Sequence, residues 1–139
     1  MNIDSIQNGV VIDHITAGRA LRIYDLLNLN DLDCSVAIIK NVNSKKMGKK
    51  DIIKIDNEIA LNFDVIGFVD PDATINVIKD GKLVEKRNIT MPKILKNVIK
   101  CKNPRCITSV EQEIEHVFKL TESKDKVYRC IYCETKASL

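Results

Sequence analysis

The sequence predicts an α+β chain: a mostly antiparallel sheet with two helices on one face, of the ferredoxin-like sandwich kind, followed by a small all-β module. Three observations carry this. In the front of the chain the apolar residues switch between a period of two and a period near 3.6, the marks of strands and amphipathic helices. Four of the five cysteines fall in the last 39 of 139 residues, a compositional break that separates a second domain. The composition is 45% hydrophobic and 29% charged with five Gly and three Pro, that of an ordinary globular chain rather than a fibrous or disordered one. Aromatics make up only 4% and Trp is absent, so Ile, Val and Leu must fill the core.

The elements follow in order. Residues 10–15 (VVIDHI) are rich in β-branched side chains and form a strand. Residues 17–27 repeat Ala20, Leu21, Ile23, Tyr24, Leu26 and Leu27 at steps of three and four, so a helix is expected, with Thr16 as its N-cap. A second strand is expected over 35–39 and a third over 49–55. A second helix spans 58–69 and is stopped by Pro71. Residues 73–78 and 82–86 are strands joined through Lys79-Asp80-Gly81, where Asp-Gly signals a tight hairpin. The order β-α-β-β-α-β-β is that of a sheet with helices packed on one face. Behind it, residues 117–120 and 126–130 read as a second hairpin around a polar turn at 121–125.

The domains are therefore 1–92 and 93–139. Residues 1–90 hold 12 Lys+Arg against 13 Asp+Glu, whereas 91–139 hold 10 against 6, so the net charge of +3 sits in the back portion. No apolar run approaches the length of a membrane span. The opening MNIDSIQNG has neither a basic n-region nor an apolar h-region, so no secretory signal and a cytoplasmic setting are expected.

About 40 residues rarely fold on burial alone and need a disulfide, a metal or a partner. The spacing Cys101-x4-Cys106, 23 residues, Cys130-x2-Cys133 brings two short cysteine loops together across a strand-rich insert. Zn²⁺ suits four such thiolates because it takes tetrahedral sulfur at ~2.3 Å and makes no redox demand. Four cysteines close the coordination sphere, so the expected role is structural, one Zn²⁺ per chain, in a small all-β zinc-binding domain. Lys100, Lys102, Arg105 and Arg129 flank the loops and offset the charge of the thiolates. Two disulfides would need an oxidising compartment; tetrathiolate iron would need an electron-transfer setting, and neither has support in the sequence.

The front portion lacks a P-loop, a G-x-G-x-x-G and a His-Glu-x-x-His. Asp13 and His14 are expected on opposite faces of their strand, which prevents a direct dyad. The cluster Lys45-Lys46-Met47-Gly48-Lys49-Lys50, with Lys54, reads either as a solvated loop or as a polyanion site, with Lys86 and Arg87 converging on it. Cys34 reads as a small buried hydrophobe.

Taken in order, Val11-Ile12-Asp13-His14-Ile15, the stretch from Met47-Gly48-Lys49-Lys50 to Ile55-Asp56-Asn57, Pro71-Asp72-Ala73-Thr74-Ile75-Asn76 and the cysteine tetrad closely resemble the regulatory chain of aspartate carbamoyltransferase. The resemblance covers essentially the whole chain. It implies a non-catalytic subunit in pyrimidine biosynthesis, whose front domain binds effectors such as CTP, ATP and UTP and pairs into a homodimer. It further implies that the zinc domain docks on catalytic chains, with no nucleic-acid or membrane partner. Carried over by motif, Asp13 would hold ribose hydroxyls, His14 would approach phosphate, and Lys54 would contact base or ribose. Lys86 would bind phosphate, and Lys50 and Asn76 would line the triphosphate region. Ile6, Ile12, Ile78 and Leu83 would form the apolar and backbone surface around base and sugar. Gly81 stands where the family often places an aromatic residue near the base. The alternative from another class is a zinc-ribbon nucleic-acid-binding protein, to which the basic back portion lends some support.

Overall fold

Strand β1 (Gly9–Thr16) turns Val10, Ile12 and Ile15 inward, where all three are buried. In this computed structural model, which describes residues 6–137, it is the centre of a five-stranded antiparallel sheet. The neighbours are β2 (Val36–Ser44), β3 (Gly48–Ile55), β4 (Thr74–Lys79) and β5 (Lys82–Asn88), in the order β2-β3-β1-β4-β5. The first four of these strands, with α1 (Ala20–Leu26) and α2 (Phe63–Val69), make the βαββαβ order of a ferredoxin-like sandwich, with β5 added at one edge. Helix α1 packs on β2, β3 and α2.

The core lies between the helices and one sheet face. Ile53 and Ile55 of β3 stand opposite Ile12 and Val10, and Ile75 of β4 stands opposite Ile12. All of these are 4% exposed or less. Because side chains alternate, Val11, Ile52, Lys54, Asn76 and Ile78 are left on the face away from the helices. Gly9 is required where β1 crosses β3, since a Cβ there would lie within 2.2 Å of the Ile55 carbonyl oxygen.

Helix α1 begins later than the periodicity predicts. Thr16 ends β1 instead of capping the helix. The N-cap is Arg19, whose side chain makes no cap bond. The carboxylate of Asp51, fully buried on β3, takes over: Oδ2 accepts from Gly18 N (2.9 Å) and Ala20 N (3.3 Å). Asp51 Oδ1 accepts from Asn41 N (3.0 Å), at a bulge in β2 where Asn41 has φ +58°. This bulge lets β2 run on to Ser44, five residues past its expected end. Helix α2 is likewise shorter than expected, starting at an Asn62 side chain that accepts from Asp64 N (3.0 Å) and ending before Pro71. In the β4–β5 turn Asp80 and Gly81 have φ +52° and +74°, the mirror-image turn the Asp-Gly pair favours.

Contacts divide the chain into Met1–Thr90 and Met91–Leu139. The second unit is a three-stranded antiparallel sheet, β6 (Ile94–Lys96), β7 (Val117–Glu122) and β8 (Val127–Cys130), with one helical turn, α3 (Ile107–Val110). Leu95, Phe118 and Tyr128 are 1% exposed or less and form its core, and the Tyr128 hydroxyl donates to Pro92 O (2.6 Å). Among the described residues no helix is long and apolar enough to cross a membrane.

Candidate functional site

The open face of the first sheet carries a hollow of about 240 Å³ lined by Ile6, Val11, Asp13, Ile52, Lys54, Asn76 and Ile78. Five of these seven were expected from sequence; Val11 and Ile52 were not. Strand alternation was the signal for both, since they share a face with Asp13 and Lys54. Lys50 reaches the same hollow through Asp13, its Nζ 3.0 Å from Asp13 Oδ1. Lys86 stands beside Asn76 and Leu83 beside Ile78 in the β4–β5 register, on the same face. The side chain of Ile12 does not join them: it is 0% exposed, in the core on the other face.

His14 departs from the expected alternation. A bulge in β1 between Ile12 and Ile15 puts one extra residue opposite β3, and His14 takes φ +55°. Its backbone N–H donates to its neighbour Asp13 Oδ1 (2.6 Å), and its ring Nδ1 is 2.9 Å from Thr74 Oγ1. The bulge thus brings the His14 backbone N–H onto the Asp13 carboxylate while its ring turns to Thr74; Asp13 lines the hollow and His14 is not among its lining residues.

Burial pushes the Asp13 carboxyl up, but the bonds from Lys50 and the His14 N–H, with the positive charges beside it, outweigh this and hold it below its ordinary range. Asp13 is thus an anion flanked by cations. Asn76 Oδ1 is shielded from solvent and has no hydrogen-bond partner among the described residues. A shielded acceptor without a donor is unfavourable by about 1–3 kcal/mol until a ligand or water supplies one.

Not every basic residue of the cluster turns to the hollow. Lys45 and Lys46 are exposed in the β2–β3 turn, and Lys49 donates to Asn43 Oδ1 (2.6 Å). Arg87 goes to the opposite face, its guanidinium 4.2 Å from the centre of the Phe63 ring on α2. It does not converge with Lys86, because neighbouring residues of a strand face apart. Cys34 is half-buried rather than enclosed.

In the second unit the sulfurs of Cys101, Cys106, Cys130 and Cys133 all lie within 4.8 Å of one another. Cys101 and Cys133 are 3.5 Å apart and Cys106 and Cys130 3.7 Å. Four sulfurs at ~2.3 Å from one Zn²⁺ would be spaced by about 3.8 Å, so the donor set and its size fit the ion. The loops are shaped locally. Cys106 N donates to Asn103 O (3.0 Å) while the Asn103 side chain accepts from Arg105 N (3.0 Å). Cys130 N donates to Thr135 O (3.0 Å). His116 is a support and not a ligand: Nδ1 accepts from Cys101 N (3.1 Å), which leaves the ring proton on Nε2.

The four thiols do not ionise alike. Burial pushes Cys101 up to about 12 and Cys130 upward, whereas hydrogen bonding to Thr135 draws Cys133 down to about 6 and bonding to Thr108 lowers Cys106. A cation at the centre is what allows all four to be thiolates together.

A ferredoxin-like sheet with a basic hollow on its open face, joined in one chain to a four-cysteine module, defines a two-domain, metal-binding class of protein. The comparisons with known proteins agree. Residues 1–90 match the aspartate carbamoyltransferase regulatory chain, allosteric domain, and residues 93–139 match the metal binding domain of the same chain. The aspartate carbamoyltransferase regulatory chain of Clostridium tetani is 52% identical over 96% of this chain and 94% of its own length. That of Clostridium botulinum is 49% identical over 96% and 92%, and that of Bifidobacterium longum 42% identical over the full length of both. The chain belongs to the aspartate carbamoyltransferase regulatory-chain family. It is accordingly a non-catalytic chain with an allosteric and a metal-binding domain, whose four cysteines are consistent with structural zinc.

Proposed function

We propose that this chain is the regulatory subunit of a cytoplasmic aspartate carbamoyltransferase in pyrimidine biosynthesis. Its 1–92 domain takes nucleoside triphosphates such as CTP, ATP and UTP in the open-face hollow and pairs into a homodimer. Its 93–139 domain, held by one Zn²⁺, docks on the catalytic chains. The observation that carries the reading is the unpartnered Asn76 Oδ1 in a hollow bordered by Lys50, Lys54 and Lys86. A triphosphate needs several cations, which these lysines supply. A ribose diol donates hydrogen bonds, which the Asp13 carboxylate accepts. Ile6, Ile78 and Leu83 offer apolar surface to a base, and the backbone of Ile12 runs beneath it.

Effector binding would bias a quaternary equilibrium of the catalytic partner, with a coupling of ~1–3 kcal/mol in ordinary allosteric systems. In this reading the zinc domain, whose fold depends on the metal, carries the effect to the catalytic chains.

The test is assembly followed by titration. Zinc-loaded chain is mixed with the catalytic trimer of the same organism and sedimented with and without EDTA. A larger complex that forms only with zinc, and that binds CTP and ATP, is the expected result. A folded, zinc-loaded chain that forms no complex would sink the reading, and salt-dependent nucleic-acid binding would then be measured.

A further inference from the structure

The hollow has a polarity. Lys50 and Asp13 stand at one end, with Asn76 and Lys86 next along β4 and β5. Ile6, Ile78 and Leu83 gather at the other, beside the β4–β5 turn. The same turn is tied to the chain entering β1. Gly81 N donates to Gln7 O (2.9 Å) and Asp80 N to Asn8 Oδ1 (3.2 Å).

Gly81 leaves open the space above this turn, and the side chain of Gln7 lies in it. A Cβ on Gly81 would sit 3.2 Å from Gln7 Oε1 and 3.7 Å from both Cδ and Nε2. The carboxamide oxygen is thus the part of Gln7 nearest the turn. Among the described residues that carboxamide is given no hydrogen-bond partner. It is a planar donor–acceptor pair, exposed beside the β4–β5 turn and next in sequence to Ile6, which lines the hollow.

We propose that Gln7 is a specificity-determining residue that reads the polar edge of a nucleobase in this hollow. The inference rests on the nucleotide reading given above and adds the residue that recognises the base. Phosphates are drawn to the lysine end, which leaves the apolar end for the ring. The ring's faces are satisfied by Ile6 and Ile78, but its edge carries adjacent donors and acceptors that apolar side chains leave unpaired. A carboxamide pairs with both at once, as glutamine does with the amino and ring-nitrogen edge of adenine. Gly81 favours this, because its φ of +74° strains a larger residue and a Cβ 3.2 Å from Oε1 would press on the amide.

Calorimetric titration of the whole zinc-loaded chain tests the assignment, with CTP, UTP and inorganic tripolyphosphate as probes. In Gln7→Ala, CTP binding should weaken roughly three- to tenfold, as one net hydrogen bond or slightly more predicts, while tripolyphosphate changes by less than about twofold. Gln7→Glu keeps the acceptor and loses the donor, which cytosine N3 and uracil O4 would both use, so CTP and UTP should both bind more weakly. If Gln7→Ala binds CTP as the unmodified chain does, or if CTP and tripolyphosphate weaken equally, Gln7 reads no base and only braces the turn. If the unmodified chain binds CTP no better than tripolyphosphate, the anion site stands and base reading is overturned. Failure to bind either probe overturns the nucleotide reading and this inference with it.

Discussion

Removing the Asp51 carboxylate should unfold the first domain at far lower temperature without touching a surface residue. Asp51→Ala strands three backbone donors, those of Gly18, Ala20 and Asn41, behind a fully buried position. Bonds to a charged acceptor contribute about 1.5–3 kcal/mol each, and the one at 3.3 Å is weak, so the two shorter ones set the scale at about 4 kcal/mol. Unfolding entropies near 2.1 cal/mol/K per residue turn that, for a unit of this size, into a fall in Tm of about 20 °C. Asp51→Asn keeps one acceptor oxygen but faces an N–H with an amide N–H, so about half the loss is expected. Circular dichroism melts and urea titrations with zinc saturating provide the measurement, read on the transition that EDTA leaves in place. A loss below about 1 kcal/mol with an unchanged urea slope would refute the reasoning, because it would mean that water satisfies the three donors as well as the carboxylate does.

Three further outcomes follow from named contacts. Chelation of zinc should abolish the native structure of 91–139, seen as loss of dispersed amide signals from β7 and β8, while signals from β1 and β3 stay in place; signals lost from both domains would contradict two independently held cores. Lys50→Met should raise the Asp13 pKa, since burial then acts with less opposition, and carboxyl-carbon NMR titration reads it directly; an unmoved titration would show that the ion pair does not hold the charge. Because the folded pKa is depressed, the stability this carboxylate contributes is complete at neutral pH and is lost only as pH falls through the folded value, below about pH 4. Gly9→Ala should destabilise the sheet by about 3 kcal/mol or more, through the clash with Ile55 O, and a variant melting with the unmodified chain would show that β1 and β3 separate freely.

What the sequence conveyed about this fold depended on how local each cause is. The β4–β5 hairpin was legible because Asp80 and Gly81 themselves adopt the positive φ values that the turn needs. The cysteine tetrad was legible because four identical ligands at fixed spacing leave few other arrangements. Helix α1 was read three residues too early because its cap is Asp51, thirty-one residues ahead, and nothing beside Arg19 announces it. The far half of β2 was invisible because Lys40, Asn41 and Asn43 break the apolar pattern, and the bulge that keeps them in the sheet is fixed from β3. Strand β6 and helix α3 are three and four residues long, too short for any period to show. The hollow drew on residues from the start of β1 to β5, so the sequence alone left the lysines between solvated loop and polyanion site, and the family resemblance tipped the balance.

The Asp13–Lys50 pair decides what that hollow is prepared to accept. Both side chains are largely shielded, 19% and 16% exposed, so an isolated charge at either position would be strongly disfavoured. Paired, each keeps the other ionised, and the chain holds a carboxylate and an ammonium ready at the mouth of an otherwise basic surface. The Lys50 ammonium and the His14 N–H both engage Oδ1 of Asp13. Among the described residues Oδ2 is given no bond, which leaves one carboxylate oxygen for a donor from outside. A simple anion has no use for that oxygen and is repelled by it. A ligand that carries phosphate charge together with hydroxyl donors a few ångströms away satisfies Lys50 and Oδ2 at once. If the hollow takes a nucleotide as proposed, the pair would favour it over bare polyphosphate before any base is read, and that would be the work of an acidic residue among so many lysines.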